Sequence, residues 1–295
     1  MNSLPSHPAS AASEWHPSPR RDFHRRLRSG IFAPVIRWFE HRQVYAPSRE
    51  HEGHPSSLNR SFEEVFFHAG DGTRLHGWFF PADPGSPWVD VALLLMHGNA
   101  GNISHRLHFY EAWLGLGLNV FAFDYRGFGR SEGKASEEGT YQDAQAAVAW
   151  LRQRGFAPDR ILALGKSLGG GIASELALRE RVGALILQST FTSIPDIGAE
   201  LFSWLPVRRM NSIKYDTLQK LPRIDVPVLI LHSRADALIG FHHAERNFAA
   251  ARDPKMLVEA KGDHNNLLEA DRAGYLRGLK AFLERHVPAG KPAGP

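Results

Sequence analysis

The stretch Arg160-Ile-Leu-Ala-Leu-Gly-Lys-Ser-Leu-Gly-Gly-Gly-Ile-Ala-Ser-Glu-Leu-Ala-Leu178 restricts this chain more than any other. Ile161 to Leu164 is an apolar run suited to a short buried strand. Gly165-Lys166-Ser167-Leu168-Gly169 follows at once as a small-residue turn, and beyond it Ile172, Leu176 and intervening alanines recur at helical spacing. A strand that turns this sharply into a helix needs glycines so that the two elements can pack closely. It leaves the central serine exposed at a strained apex. The helix N-terminus beneath that serine carries unpaired N–H groups and a partial positive charge, which suit an oxyanion.

The surrounding pattern predicts where this unit sits. Phe62 to Phe67 and Arg74 to Phe80 alternate as strands do, with Ala69-Gly-Asp-Gly72 as a hairpin turn between them. Val91 to Met96 is continuously apolar, as a strand buried on both faces must be. A helix is expected over 103–115, a strand at 119–124 and a helix over 137–154. Strands follow at 183–188, 226–232 and 256–259, and a last helix at 265–286. The predicted fold class is α/β, a mostly parallel doubly wound sheet with antiparallel first strands. Between Ser189 and Val226 lie too many residues for a simple connection. Leu201 to Leu205 and Tyr215 to Leu221 read as short helices there, so 190–225 is expected to form a small helical cap.

A serine hydroxyl needs a base, and the base an orienting acid. Asp236 follows the strand ending near His232, and His264 follows the strand at 256–259, so the chain order is Ser, Asp, His. Both stand in loops at the carboxyl edge of the sheet, where α/β sites form. Asp263 is the rival acid, and His232, His243 and His97 are the rival bases. The turn His97-Gly-Asn-Ala-Gly-Asn102 follows the third strand, so the backbone N–H groups of Asn99 and Leu168 are the expected oxyanion donors. Gly129-Arg-Ser-Glu-Gly133 also matches Gly-x-Ser-x-Gly, but it lies in a polar loop from which no helix opens. Asp124 and Arg126 are read as fixing that loop.

Charge narrows the choice of partners. The formal net charge is +4 from 35 basic and 31 acidic residues. Seven arginines (20, 21, 25, 26, 28, 37 and 42) against Asp22 and Glu40 fall between residues 20 and 42, leaving 28 basic against 29 acidic elsewhere. The basicity therefore belongs to one arm, and no nucleic-acid surface is expected. Residues 1–19 read as disordered and 20–60 as a basic amphipathic arm and polar linker. The domain proper spans 61–287, and 288–295 is a frayed tail. The arm is expected to pack an Ile/Trp/Phe face on the domain, the alternative being peripheral contact with a membrane surface. No run approaches 18 apolar residues, and the N-terminus lacks the apolar core of a secretory signal. The absence of cysteine excludes disulfides, zinc–thiolate sites and a cysteine nucleophile, and fits a reducing, cytoplasmic compartment.

The His-Gly-Asn-Ala-Gly-Asn turn, the loop Asp124-Tyr-Arg-Gly-Phe-Gly-Arg-Ser-Glu-Gly133, the Gly-Lys-Ser-Leu-Gly-Gly elbow and the late Asp236 and His264 together resemble the α/β-hydrolase family over residues 61–286. Within it the chain is similar to the monoacylglycerol-lipase-like, serine-aminopeptidase-like and acyl-protein-thioesterase-like branch. Members of that kind often carry an N-terminal membrane-associating segment. The expected activity is hydrolysis of an ester or thioester through a Ser-His-Asp triad and a covalent acyl-enzyme, without metal or cofactor. Phe202, Trp204 and Leu205 are expected to meet the acyl chain. An aminopeptidase or amidase using the same triad, and a non-catalytic binding protein on the same fold, are the alternatives.

Overall fold

A computed structural model of the protein describes residues 33–289. The stretches read as disordered (1–19) and most basic (20–32), and the tail from 290, lie outside the described residues. One sheet of eight strands dominates the rest: β1 (Glu63–His68), β2 (Arg74–Phe80), β3 (Ala92–Met96), β4 (Asn119–Asp124), β5 (Ile161–Lys166), β6 (Ala184–Gln188), β7 (Val228–Ser233) and β8 (Lys255–Ala260). Their order across the sheet is β8-β7-β6-β5-β3-β4-β2-β1. β2 pairs antiparallel with β1 and β4, and every other neighbouring pair is parallel. This is the mostly parallel, doubly wound sheet with antiparallel first strands expected from the sequence.

Seven helices matter below: α1 (Ala33–Val44), α2 (Leu107–Gly115), α3 (Glu137–Gln153), α4 (Leu168–Arg179), α5 (Ile194–Leu201), α6 (His242–Ala250) and α7 (Arg272–His286). The continuous apolar run in β3 is explained by its two faces. Leu93 and Leu95 pack with Phe109 and Trp113 of α2 and Leu279 and Phe282 of α7. Leu94 and Met96 pack with Val148 of α3 and Ile172 of α4 on the opposite side. Helix starts follow local chemistry. Ser136 accepts the Gly139 N–H at the head of α3, where Glu137 and Glu138 complement the helix dipole.

Two predicted helices move. The terminal helix is broken at Asp271, whose side chain caps α7 by accepting the Gly274 N–H, so 267–270 is a separate turn. In the cap the main helix is α5, earlier than the Leu201–Leu205 stretch expected. Ser193 caps it by accepting the Asp196 N–H and Pro195 sits in its first turn, while 202–205 is irregular. The segment read as arm and linker is tied into the domain. Ala46 and Pro47 pair in parallel with Ala100 and Gly101, and Asn102 Nδ2 donates to Ser48 O and Glu50 O.

Candidate active site

The elbow brings β5 and α4 closer than side chains allow. A Cβ on Gly165 would lie 2.3 Å from Gly169 O, and one on Gly169 would lie 1.9 Å from Met96 O. Ser167 between them takes φ 53° and ψ −117°, a strained conformation for a residue with a side chain. Its peptide is clamped from β6: Ser167 N–H donates to Gln188 O at 2.9 Å, and Thr190 Oγ1 donates to Ser167 O at 2.6 Å. The hydroxyl is thereby held out over the carboxyl end of the sheet.

The three residues picked from chain order meet there. His264 Nε2 lies 3.1 Å from Ser167 Oγ, and His264 Nδ1 lies 2.8 Å from Asp236 Oδ2. Asp236 Oδ1 accepts the N–H groups of Leu238 and Ile239 at 3.0 and 2.8 Å. Burial opposes charge on this carboxyl, but His232, His264 and the Ile239 N–H outweigh it and hold its pKa well below the usual carboxylate range. The acid is therefore ionised and oriented, and His264 carries its proton on the nitrogen facing away from the serine. That leaves Nε2 free to accept.

Asn99 and Leu168 line the same cleft as Ser167. Leu168 is the first residue of α4, so its N–H has no acceptor within the helix. The turn after β3 faces the elbow closely, since a Cβ on Gly98 would lie 3.6 Å from Ser167 Cβ. Asn99 O accepts the Ala46 N–H at 2.9 Å, which fixes the peptide on its far side.

The rival residues have other tasks. Asp263 Oδ1 accepts the N–H groups of Asn265 and Asn266 and turns the chain behind His264. His232 Nε2 donates to Ile239 O at 2.7 Å and stands 3.4 Å from Asp236 Oδ2, supporting the acid from below. His243 accepts the Thr192 N–H and approaches Glu200. His97 shapes the turn, its Nδ1 donating to Gly98 O at 2.7 Å. In the second Gly-x-Ser-x-Gly, the Ser131 hydroxyl is buried, donates to Asp124 O and accepts the His76 N–H. Arg126 pairs with Asp143 and Asp71, fixing the loop as expected.

An apolar cleft leads away from Ser167. Phe191, Ile194, Ile197, Leu201, Phe202 and Leu205 of the cap form one wall, and Ile36, Phe39, Glu40 and Val44 of α1 form the other. Trp204, expected here, is instead 78% exposed, and Trp38 of the predicted Ile/Trp/Phe face is 60% exposed. Glu40, which sequence reasoning missed, is buried and joins the two walls. Its Oε1 accepts the Ile213 N–H at 2.8 Å and its Oε2 accepts the Ser212 hydroxyl at 2.5 Å. Tyr45 OH and Tyr215 OH meet at 2.9 Å in the same seam. The spacing of Ile36, Phe39, Glu40 and Gln43 on one helical face was the available signal, hidden by the neighbouring arginines. Lys166, beside the serine, is buried with its amine 3.4 Å from Asn265 Oδ1; burial, with nearby Arg106, pushes its pKa down to about 8.

The sequence model of the alpha/beta hydrolase fold matches residues 91–213. An uncharacterized protein of Mycobacterium tuberculosis is 36% identical over 268 residues, covering 90% of this chain and 94% of that protein. The alpha/beta hydrolase domain-containing protein WAV2 of Arabidopsis thaliana is 33% identical over 276 residues, or 85% of this chain and 89% of that protein. Among solved structures, the Pyrococcus furiosus esterase Pf2001 superposes with a TM-score of 0.68 at 21% identity, covering 82% of this chain and 99% of that one.

Proposed function

Since this chain belongs to the α/β-hydrolase family, we propose that it is a serine hydrolase that cleaves an acyl ester or thioester through a covalent acyl-enzyme. The hydrogen-bonded line from Asp236 through His264 to Ser167, at the mouth of an apolar cleft, carries the reading. Ser167 Oγ attacks the substrate carbonyl while His264 Nε2 takes its proton, and Asp236 stabilises the resulting imidazolium. The N–H groups of Asn99 and Leu168 are the donors we assign to the oxyanion. His264 then protonates the leaving group and activates the water that frees the acid.

The cleft lining supports an acyl chain over an aminoacyl substrate. The cleft is lined almost wholly by apolar side chains, and its acidic residue, Glu40, is tied to the cap by a hydrogen bond on each oxygen. No helix among the described residues is long and apolar enough to cross a membrane. Contact with an anionic membrane surface through the arginine-rich arm, and a cytoplasmic address, are further parts of this proposal. Salt-sensitive flotation with anionic vesicles tests the first.

A fluorophosphonate probe tests the nucleophile. The native chain labels and Ser167→Ala does not; labelling of the variant, or none of the native chain, removes the assignment. Rates on p-nitrophenyl esters from acetyl to dodecanoyl, set against acyl thioesters and aminoacyl amides, test the substrate class, and preference for the amides overturns it.

A further inference from the structure

Behind the turn that carries Asn99, three histidines surround one carboxylate in the core. Asp124 is fully buried at the end of β4, and its Oδ1 accepts the Ile103 N–H at 2.9 Å. His51 Nε2 lies 3.3 Å and His76 Nδ1 lies 3.8 Å from Asp124 Oδ2, while His97 Nε2 lies 3.5 Å from Oδ1. We propose that His51 Nε2, His76 Nδ1 and Asp124 Oδ2 form a structural site for one divalent cation of the zinc class.

The hydrogen-bonding pattern leaves an unmatched positive charge to be supplied there, which a bound cation or a further imidazole proton provides. His76 Nε2 lies 3.0 Å from Glu64 Oε1, so that nitrogen carries the proton and Nδ1 presents a lone pair to Asp124. His97 donates its Nδ1–H to Gly98 O, so its Nε2 also aims a lone pair at the carboxylate. Among the described residues neither nitrogen has a hydrogen-bond partner, and both histidines are fully buried. Lone pairs and a carboxylate converge with too few protons to share, which is costly in a low dielectric.

The geometry fits a metal. Ligands about 2.0–2.2 Å from a tetrahedral zinc stand about 3.3–3.5 Å apart, and His51 Nε2 and His76 Nδ1 lie 3.3 and 3.8 Å from Asp124 Oδ2, within a small adjustment of that spacing. Glu64 behind His76 reproduces the carboxylate–histidine support that fixes a metal ligand's tautomer. Gly129 walls the site: a Cβ there would stand 2.0 Å from Asp124 Oδ2 and 2.9 Å from His51 Nε2. Such a cation takes the place of the His51 Nε2–H, the ring proton passing to Nδ1, and pins the 45–54 segment to β2 and β4. Glu200, His242 and His243 also cluster, but His243 spends its Nδ1 lone pair on the Thr192 N–H, so its Nε2–H donates to Glu200 and no open donor remains. Positions 51, 76 and 124 follow no ligand spacing, which is why sequence reading named no metal.

The full chain, stripped with a chelator, is titrated with Zn²⁺ alone by calorimetry against a competing chelator. One equivalent binds and raises the thermal midpoint. Glu64→Gln, at a half-exposed position, weakens that equivalent by about 10- to 100-fold, His51→Ala abolishes it, and His242→Ala leaves it intact. Absence of stoichiometric binding to the native chain, or binding undiminished in both Glu64→Gln and His51→Ala, overturns the proposal.

Discussion

A hydroxyl 3.1 Å from an imidazole nitrogen is activated only if that nitrogen has no proton of its own. Asp236 secures this, because a carboxylate held ionised by two backbone N–H groups and two histidines accepts the His264 Nδ1–H. An amide in its place would offer an N–H to the same nitrogen and favour the wrong tautomer. Asp236→Asn is therefore expected to lower kcat by on the order of 10⁴-fold with little change in folding. Burst kinetics with a p-nitrophenyl ester measure it, and a loss of tenfold or less would show that another acid orients His264.

At the scale of elements, two joints decide whether the site exists. The first is the crossing of α4 over β3 and β5, where Gly169 touches the Met96 carbonyl. Gly169→Ala forces a Cβ into backbone that cannot yield, so a loss of more than about 3 kcal/mol is expected by denaturant unfolding. The second is the seam between α1 and the cap. Glu40→Ala removes two hydrogen bonds to a buried carboxylate, and the cleft loses a wall. The kcat/KM for a dodecanoyl ester is expected to fall about tenfold or more, with acetyl ester turnover within about twofold. Equal losses on both esters would mean that α1 supports the serine rather than the acyl chain. The first joint was legible in the sequence; of the second, the packing of an apolar helix face on the domain was expected, but not the place of Glu40 in it. Glycines, a strand-length apolar run and a helical repeat within twenty residues leave one local solution. The place of Glu40 depends on Ser212 and Ile213, some 170 positions away, and no periodicity reports that. Trp204 misled for a related reason. An aromatic residue next to two cleft-lining ones looks alike in sequence whether it faces in or out.

Over the whole molecule, buried titratable groups set the pH range of stability. Asp236 is held well below its usual range, so its contribution is present above about pH 3.9 and lost as pH falls below it. Asp143, which burial pushes up, opposes part of that gain. His243, lowered by burial, resists charging in the fold and costs stability below about pH 6.5. Lys166, pushed down to about 8, adds stability as pH rises from there to about 10.4, where the unfolded lysine also loses its proton. Tyr110, Tyr125 and Tyr215 are raised by burial, so above about pH 10 the unfolded chain ionises and the fold does not. These signs place the highest thermal midpoint on the alkaline side of neutrality, with a sharp fall beyond about pH 10. Scanning calorimetry from pH 4 to 11 checks this, and a maximum near pH 5 would contradict it.

Because Glu40 and the Tyr45–Tyr215 contact tie α1 to the cap, a ligand filling the cleft and the docking of α1 stabilise the same arrangement. Linkage then makes protease resistance of α1 a readout of occupancy. Arg37 and Arg42 are exposed but lie within that helix, so tryptic cleavage there requires the helical backbone of α1 to open. A non-hydrolysable long-chain acyl analogue should slow this nicking in proportion to its saturation of the cleft, and an acetyl analogue should not. Digestion rates would thus rank ligands by chain length without any turnover.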